Sequence, residues 1–204
     1  MKIAIDGPSA SGKGTLTKLL AKKIGAKYLN TGKLYRVVAF SINQSSDITA
    51  QAIQNSANFL DLLEKFGENT AIFSQENGEL TSQISSIPKV RQNLFQFQVD
   101  FANSSMPVIL EGRDIGTHIL PNADFKFFIT ATPEERASRR LKQFNQESKN
   151  FEEILNAIIK RDEMDSMRGN SPLKPSVDSI IIDTTGFSIE ESLNTILREI
   201  KWQM

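Results

Sequence analysis

Near the start of the chain, Gly7, Pro8, Ser9, Ala10, Ser11, Gly12 and Lys13 fit the spacing G-x4-G-K. The chemistry of that spacing is anion binding. Backbone N–H groups can close around a row of phosphates only where side chains are absent from the bends. A helix starting at Lys13 would add the positive end of its dipole, and the Lys13 ammonium would reach the β- and γ-phosphates of a bound triphosphate. The next two residues are Gly14 and Thr15. Gly14 has no side-chain oxygen where a Ser or Thr would touch Mg²⁺, so the cation must be held mainly by phosphates and water.

Arginine is the second chemical signal. Of nine arginines, seven lie between 91 and 168: Arg91, Arg113, Arg136, Arg139, Arg140, Arg161 and Arg168. Arg136, Arg139 and Arg140 share one face of a predicted helix whose other face is Ala137, Leu141 and Phe144. Arg161, Asp165 and Arg168 form a stripe at i, i+4 and i+7. Any one of them could be a solvated ion pair on a helix face. As a set beside a phosphate loop they read as clamps for phosphates in transfer. If the acceptor is itself a phosphate, the attacking oxygen is already an anion and no general base is needed.

The elements that must hold these residues follow from hydrophobic patterning. Short apolar runs at 2–6, 27–29, 107–112, 124–131 and 179–183 read as buried strands. The stretches between them read as helices. One leads to Gly25; others cover 32–43, 48–66, Pro88 to about 103, 133 onward after the Thr132-Pro133-Glu134-Glu135 start signal, 150–168, and a last one after Ser188 and Glu191. The segment 70–74 is predicted as a strand followed by a turn at Glu76, Asn77 and Gly78, inside a small mobile insert. Strands alternating with helices predict an α/β fold: a five-stranded parallel sheet flanked by helices, in one domain spanning 1–204.

Composition narrows the function classes. With 24 basic and 24 acidic residues, no cysteine and His118 alone, the chain cannot form disulfides, bind zinc through thiolates, use thiol catalysis or pair histidines on a metal. Balanced charge argues against nucleic acid or an anionic membrane as partner. No leader and no apolar run of about 18 residues is present, which predicts a cytoplasmic location.

The longer motifs are more selective than the loop. Residues 5–15, YLNTGKLYR at 28–36, EGRDIGT at 111–117, RDEMDSMR at 161–168 with Pro172 and Leu173, and IIDTT at 181–185 together resemble the bacterial cytidylate kinases, over nearly the whole chain and in order. The resemblance implies an adenylate-kinase-like phosphate-loop kinase that moves the γ-phosphate of ATP, with Mg²⁺, to CMP or dCMP, and works as a monomer. It implies ATP on residues 7–15, with Lys13, Arg113 and Arg161 catalytic. On the acceptor side it implies Thr31, Tyr35, Arg36, Ser82, Arg91, Arg113, Asp114, Asp165 and Arg168. Arg36 and Arg113 take the phosphate, Ser82, Arg91 and Asp114 read the base, and Asp165 and Arg168 hold the sugar. Arg136, Arg140 and Arg161 become phosphate contacts of a mobile lid at about 145–172, and about 58–87 becomes a shortened acceptor-binding insert.

Two of these assignments have independent chemical support. Cytosine offers an exocyclic amine donor beside a ring nitrogen and a carbonyl acceptor, and a carboxylate with an arginine complements that edge. Glu111, at a strand end, can orient water on Mg²⁺. Departures from the family pattern are Asn30, where an Asp is usual, and Lys33, which would add a cation near the acceptor. A related kinase with UMP or shikimate as acceptor is an alternative. A regulatory nucleotide switch is another, because residues 183–186 imitate a DxxG motif. His118 is read as a surface residue or one just outside the site, with no role in the chemistry, and Trp202 as packing or a frayed terminus.

Overall fold

The computed structural model describes residues 1–43, 47–144 and 150–202. Five parallel strands form one sheet in the order β2-β3-β1-β4-β5: β1 (Lys2–Asp6), β2 (Lys27–Asn30), β3 (Val108–Gly112), β4 (Phe125–Thr130) and β5 (Ile180–Asp183). All five strands expected from the sequence are present. Alternation across the pleat splits β1 between two cores. Ile3 and Ile5 pack with Phe127, Ile129 and Leu20 on one face, and Ala4 joins Val108, Leu110 and Ile115 on the other. Each fully buried Ile or Phe contributes about 2–3 kcal/mol.

Helix α1 (Lys13–Ile24) follows β1 and stops at Gly25, whose φ of 65° is left-handed. Helix α2 (Thr31–Phe40) starts under an Asn30 cap that accepts from Lys33 N at 3.0 Å. The single helix expected over 48–66 is two: α3 (Ile48–Ala57) and α4 (Phe59–Phe66), broken at Asn58. The expected strand at 70–74 is a 3₁₀ turn (Thr70–Phe73), because the Asn69 side chain caps Ala71 N at 2.9 Å and Ile72 alone is buried. The expected turn at Glu76, Asn77 and Gly78 is the first turn of α5 (Gln75–Ile84), capped by Ser74 and held by Leu80 and Ile84 against Leu34 and Val38 of α2. Among the described residues, no strand lies between β2 and β3.

The remaining helices are α6 (Pro88–Ala102), α7 (Pro133–Phe144), α8 (Phe151–Met167) and α9 (Ile189–Trp202). Thr132 caps α7, and Ser188 with Glu191 closes a capping box on α9. A π-turn, Ile115–Ile119, follows β3. Residues 145–149 and the side chains of Phe144 and Trp202 lie outside the described set.

β1 lies where the chain changes direction across the sheet, with β3 on one side and β4 on the other. The crevice beyond the carboxyl ends of these strands is where such sheets place ligands. Asp6 closes that end of β1, accepting from Ile115 N at 2.8 Å and Gly116 N at 2.7 Å. Burial lifts its carboxyl from 3.8 to about 6, against the pull of those two donors. The folded value lies above the unfolded one, so folding takes up a proton. The stability this gives is full below about pH 4 and is lost as pH rises to about 6, worth about 3 kcal/mol for a two-unit shift. In Asp6→Asn an amide donor faces a backbone N–H. That variant should be less stable by about 1–3 kcal/mol, and denaturation midpoints at pH 4 and 6 should differ less than in the wild type. An equal difference in both proteins would contradict this role.

Candidate active site

An open cleft of about 500 Å³ runs along the carboxyl ends of β1, β2 and β3. Its floor is the loop after β1. Gly7 has φ 144°, and a Cβ there would stand 2.0 Å from the Ile129 carbonyl oxygen, so only glycine fits. Gly12 has φ 86° and leads into α1. Lys13 is buried and folds back over the loop, donating to Pro8 O at 2.6 Å and Ser11 Oγ at 3.3 Å. Burial and then Arg113 push its pKa well below the usual lysine value, opposed by Glu111 and Asp6. An anion in the cleft would favour its charged form.

Four guanidiniums crowd the cleft above the loop. Arg36 donates to Ile72 O at 2.7 Å and lies 5.3 Å over the Phe73 ring. Burial, then Arg161, Arg140 and Arg113, lower its pKa well below the ordinary value. Burial and Arg113 pull Arg161 down to about 10. Its Nη1 reaches Ser9 Oγ at 3.5 Å, and its buried Nε has no hydrogen-bond partner among the described residues. Arg140 donates to Phe73 O at 3.3 Å, and burial lowers its pKa too. Arg113 donates from Nε to Asp165 at 2.9 Å. Mutual repulsion among these cations is what two phosphoryl groups would relieve.

The other end of the cleft alternates in sign. Arg91 and Asp114 form a buried ion pair, and Arg168 approaches Asp114 at 3.9 Å while donating to Ser85 Oγ at 3.2 Å and Ser171 O at 2.6 Å. Burial works against the Asp165 charge, but Arg113 and then Arg161 outweigh it and hold that carboxyl below its usual value. Tyr35 sits under Arg91 at 5.8 Å. Ser82 Oγ is buried without a hydrogen-bond partner among the described residues. Thr31 Oγ1 donates to Glu111 O at 2.8 Å, tying α2 to the end of β3.

The cleft thus brings together Ser9, Ala10, Ser11, Gly12, Lys13, Gly14 and Thr15 with Thr31, Tyr35, Arg36, Ser82, Arg91, Glu111, Arg113, Asp114, Arg140, Arg161, Asp165 and Arg168. Gly7 and Pro8 shape the loop from behind. Arg136, expected among the phosphate contacts, does not line the cleft. It is buried behind the loop, donating to Ala131 O at 2.9 Å and Ser9 O at 3.3 Å and pairing with Asp162 at 2.6 Å. Lys33, expected near the acceptor, pairs at 3.1 Å with the exposed Glu68 and also lies outside the lining. His118 is exposed beside Phe95. Asp183, the acid of the DxxG imitation, is exposed and caps its own turn at Thr185 N and Oγ1.

The cleft also takes in residues for which the sequence signals no specific contact. Arg139 donates to Ser11 O at 3.3 Å and to Thr184 Oγ1 at 3.0 Å, bracing the loop from α7. Thr184, Phe187, Ile189 and Ser192 wall the cleft where Arg139 meets the end of β5, Phe73 lines it beside Arg36, and Ser85 lines it beside Arg168. The sequence offers one hint, two apolar residues, Phe187 and Ile189, on either side of the capping Ser188, and the structure leaves both exposed.

No cluster of three or more His, Cys, Asp or Glu side chains that could hold a metal occurs among the described residues. A cation here would rely on phosphate oxygens and water. Glu111 fits that arrangement. Its Oε1 lies 3.5 Å from where a Cβ on Gly14 would stand, and its buried Oε2 completes no hydrogen bond among the described residues.

Comparisons with known proteins place the chain in a family. The family model described as cytidylate kinase matches residues 3–202. The cytidylate kinase of Thermotoga maritima is 39% identical over 216 residues, covering 100% of this chain and 98% of that protein. The cytidylate kinase of Rickettsia felis is 42% identical over 203 residues, covering 98% and 91%. Among solved structures, shikimate kinase from Bacteroides thetaiotaomicron superposes with a TM-score of 0.53 at 16% identity, over 98% of each chain, a likeness of fold alone. With its phosphate loop, its arginine-lined cleft and full-length relatives of one kind, the chain belongs to the cytidylate kinase family of phosphate-loop kinases.

Proposed function

We propose that the protein transfers the γ-phosphate of ATP to CMP or dCMP, giving ADP and CDP or dCDP, and so supplies pyrimidine nucleotides as a cytoplasmic monomer. The observation that carries this reading is the meeting of Arg36, Arg113, Arg140 and Arg161 above Lys13, with the Arg91–Asp114 pair at one end of the same cleft. An oxygen of the acceptor phosphate attacks the γ-phosphorus, a new P–O bond forms, and the bond to the β,γ-bridging oxygen breaks as ADP leaves. The nucleophile is an anion at neutral pH, so the protein needs no base. Its work is to align the two phosphates, offset their charge and exclude water.

Lys13 and the loop amides take the donor phosphates. Arg36 and Arg113 take the acceptor phosphate, and Arg140 and Arg161 neutralise the transferring group. The Asp114 carboxylate accepts from the cytosine amine, while Arg91 and Ser82 offer donors to its ring nitrogen and carbonyl. Asp165 and Arg168 hold the sugar. Residues 58–87 act as the acceptor-binding insert and 145–172 as the lid. Support for that division is that α5 supplies Ser82 while α8 supplies Arg161 and Asp165. When bound, Mg²⁺ supplies positive charge at the donor phosphates, and Glu111 is the side chain placed to meet its water.

The donor base fits the wall of Phe187, Ile189 and Arg139. Phe187→Ala should raise the KM for ATP by about tenfold, the loss of one stacking contact worth about 1.4 kcal/mol, with little change for CMP. An unchanged ATP KM would move the donor base elsewhere. The acceptor assignment is tested by calorimetric titration with CMP, UMP, AMP and shikimate. CMP should bind at least about tenfold more tightly than UMP, whose ring N–H and carbonyl put a donor and an acceptor where cytosine has the reverse. Equal affinity for CMP and AMP would overturn it.

A further inference from the structure

Beneath Gly14, three polar atoms from three elements meet in a buried nest. Glu111 stands at the carboxyl end of β3. Tyr28 lies on β2 two residues before Asn30, which is the cross-strand partner of Glu111, so Tyr28 and Glu111 share a face of the sheet. Thr17, fully buried, follows Gly14 by one turn of α1. The Tyr28 and Thr17 hydroxyls both face the Glu111 carboxylate and lower its pKa, while burial, the largest influence, raises it. Yet Tyr28 Oη, Thr17 Oγ1 and Glu111 Oε2 each fall short of a hydrogen bond of full geometry among the described residues.

Leaving such atoms unsatisfied costs about 1–3 kcal/mol each. A phenylalanine at 28 and a valine at 17 would fill nearly the same volumes without that cost. The hydroxyls therefore point to a task outside packing. A glutamate must fix three side-chain torsions to aim its carboxylate, and the two hydroxyls that face it favour one orientation without completing a hydrogen bond of full geometry. The carboxylate so held has Oε1 3.5 Å from the position of an absent Cβ on Gly14, so glycine at 14 keeps the path from Glu111 into the phosphate loop open.

We propose that Tyr28, with Thr17 beside it, is a positioning residue that aims the Glu111 carboxylate at the water shell of the divalent cation carried in with the donor nucleotide. This rests on the phosphotransfer reading above. It accounts for a loop with no hydroxyl directly after its lysine, where Gly14 stands: the missing inner contact is replaced by an outer one that needs orientation.

The test is calorimetric binding of ATP to Tyr28→Phe, measured once with Mg²⁺ and once with EDTA. The ratio of the two affinities should fall by about tenfold relative to wild type, in line with the loss of an outer-shell partner at a metal site. The Mg²⁺ concentration giving half-maximal turnover should rise by a similar factor. Affinity for CMP without donor should not change, and the melting temperature should stay level or rise. Glu111→Gln should lower the ratio further, and adding Tyr28→Phe to it should bring no additional loss, because the tyrosine acts through the carboxylate. An unchanged ratio in Tyr28→Phe would overturn the proposal. So would losses that multiply in the double variant, or a fall in melting temperature that accounts for the change. If the wild type bound ATP in a Mg²⁺-dependent way but did not phosphorylate CMP, the acceptor reading would fail while the binding ratio still decided the role of Tyr28.

Discussion

Lys13→Ala should lower kcat by about 10³-fold and leave the fold intact. The ammonium sits in the base of the loop, bonded to Pro8 O and Ser11 Oγ, with Glu111 and Asp6 close enough to favour its charge. Its depressed pKa means that the fold gains little from it: burial costs more than the two acids return. In the proposed reaction a donor triphosphate would reverse that balance, and the positive charge would then lie where negative charge shifts as the bond to the bridging oxygen breaks. Removing one such preorganised donor costs about 10²–10³ in kcat elsewhere, and a full charge belongs at the top of that range. The melting temperature should be level or higher, since a buried cation whose desolvation outweighs the return from its two neighbouring acids has been removed. Turnover within tenfold of wild type would contradict the assignment of the loop.

The second large effect is expected at Asp165. This carboxylate is 3% exposed and receives Arg113 Nε at 2.9 Å, with Arg161 and Arg168 adding to its stabilisation. Asp165→Ala would free the Arg113 guanidinium to swing and would leave three arginines without their shared acid. The kcat/KM for CMP should fall by about 10²-fold, the order expected when a phosphate-binding group moves by about 1 Å. The KM for ATP should change by less than about threefold, because the loop and its brace at Arg139 do not depend on this acid. Steady-state kinetics with each substrate varied in turn separate the two. A selective rise in the ATP KM would move Asp165 to the donor side. Because Arg113 is partly exposed, the accompanying loss of stability should be about 2 kcal/mol, below the range for a fully buried pair.

The parts of this molecule that could be read from the sequence are those where one local rule acts alone. Continuous apolar runs such as KIAID and VILEG can only be buried strands, and the glycine spacing of the loop has one physical use. Gly25 and the Ser188–Glu191 box ended and began helices as their chemistry requires. The segment from 48 to 84 was misread because competing local signals are settled by tertiary contacts. Asn77 and Gly78 look like a turn, but Ser74 caps them into α5, and Asn77 Nδ2 is held by Ile72 O at 2.8 Å and Arg36 O at 3.0 Å. Asn69 turns an apolar stretch into a 3₁₀ turn in the same way.

Within the site, the limit was direction. Arg136, Arg139 and Arg140 share a helix face in the sequence, but only the packing of α7 against the loop sends Arg136 behind it, Arg139 to its edge and Arg140 into the cleft. The nest of Tyr28, Thr17 and Glu111 spans two strands and a helix and has no linear signature. Lys33 shows the reverse case: a charge close to the motif in sequence that pairs with Glu68 outside the cleft.

The most direct test is the initial rate of CDP formation from CMP with ATP and Mg²⁺, set against ADP formation from AMP under the same conditions. A kcat/KM for CMP of about 10⁴ M⁻¹s⁻¹ or more, at least a hundredfold above that for AMP, is the predicted result. Equal rates with the two acceptors, or ATP hydrolysis without CDP, would contradict it.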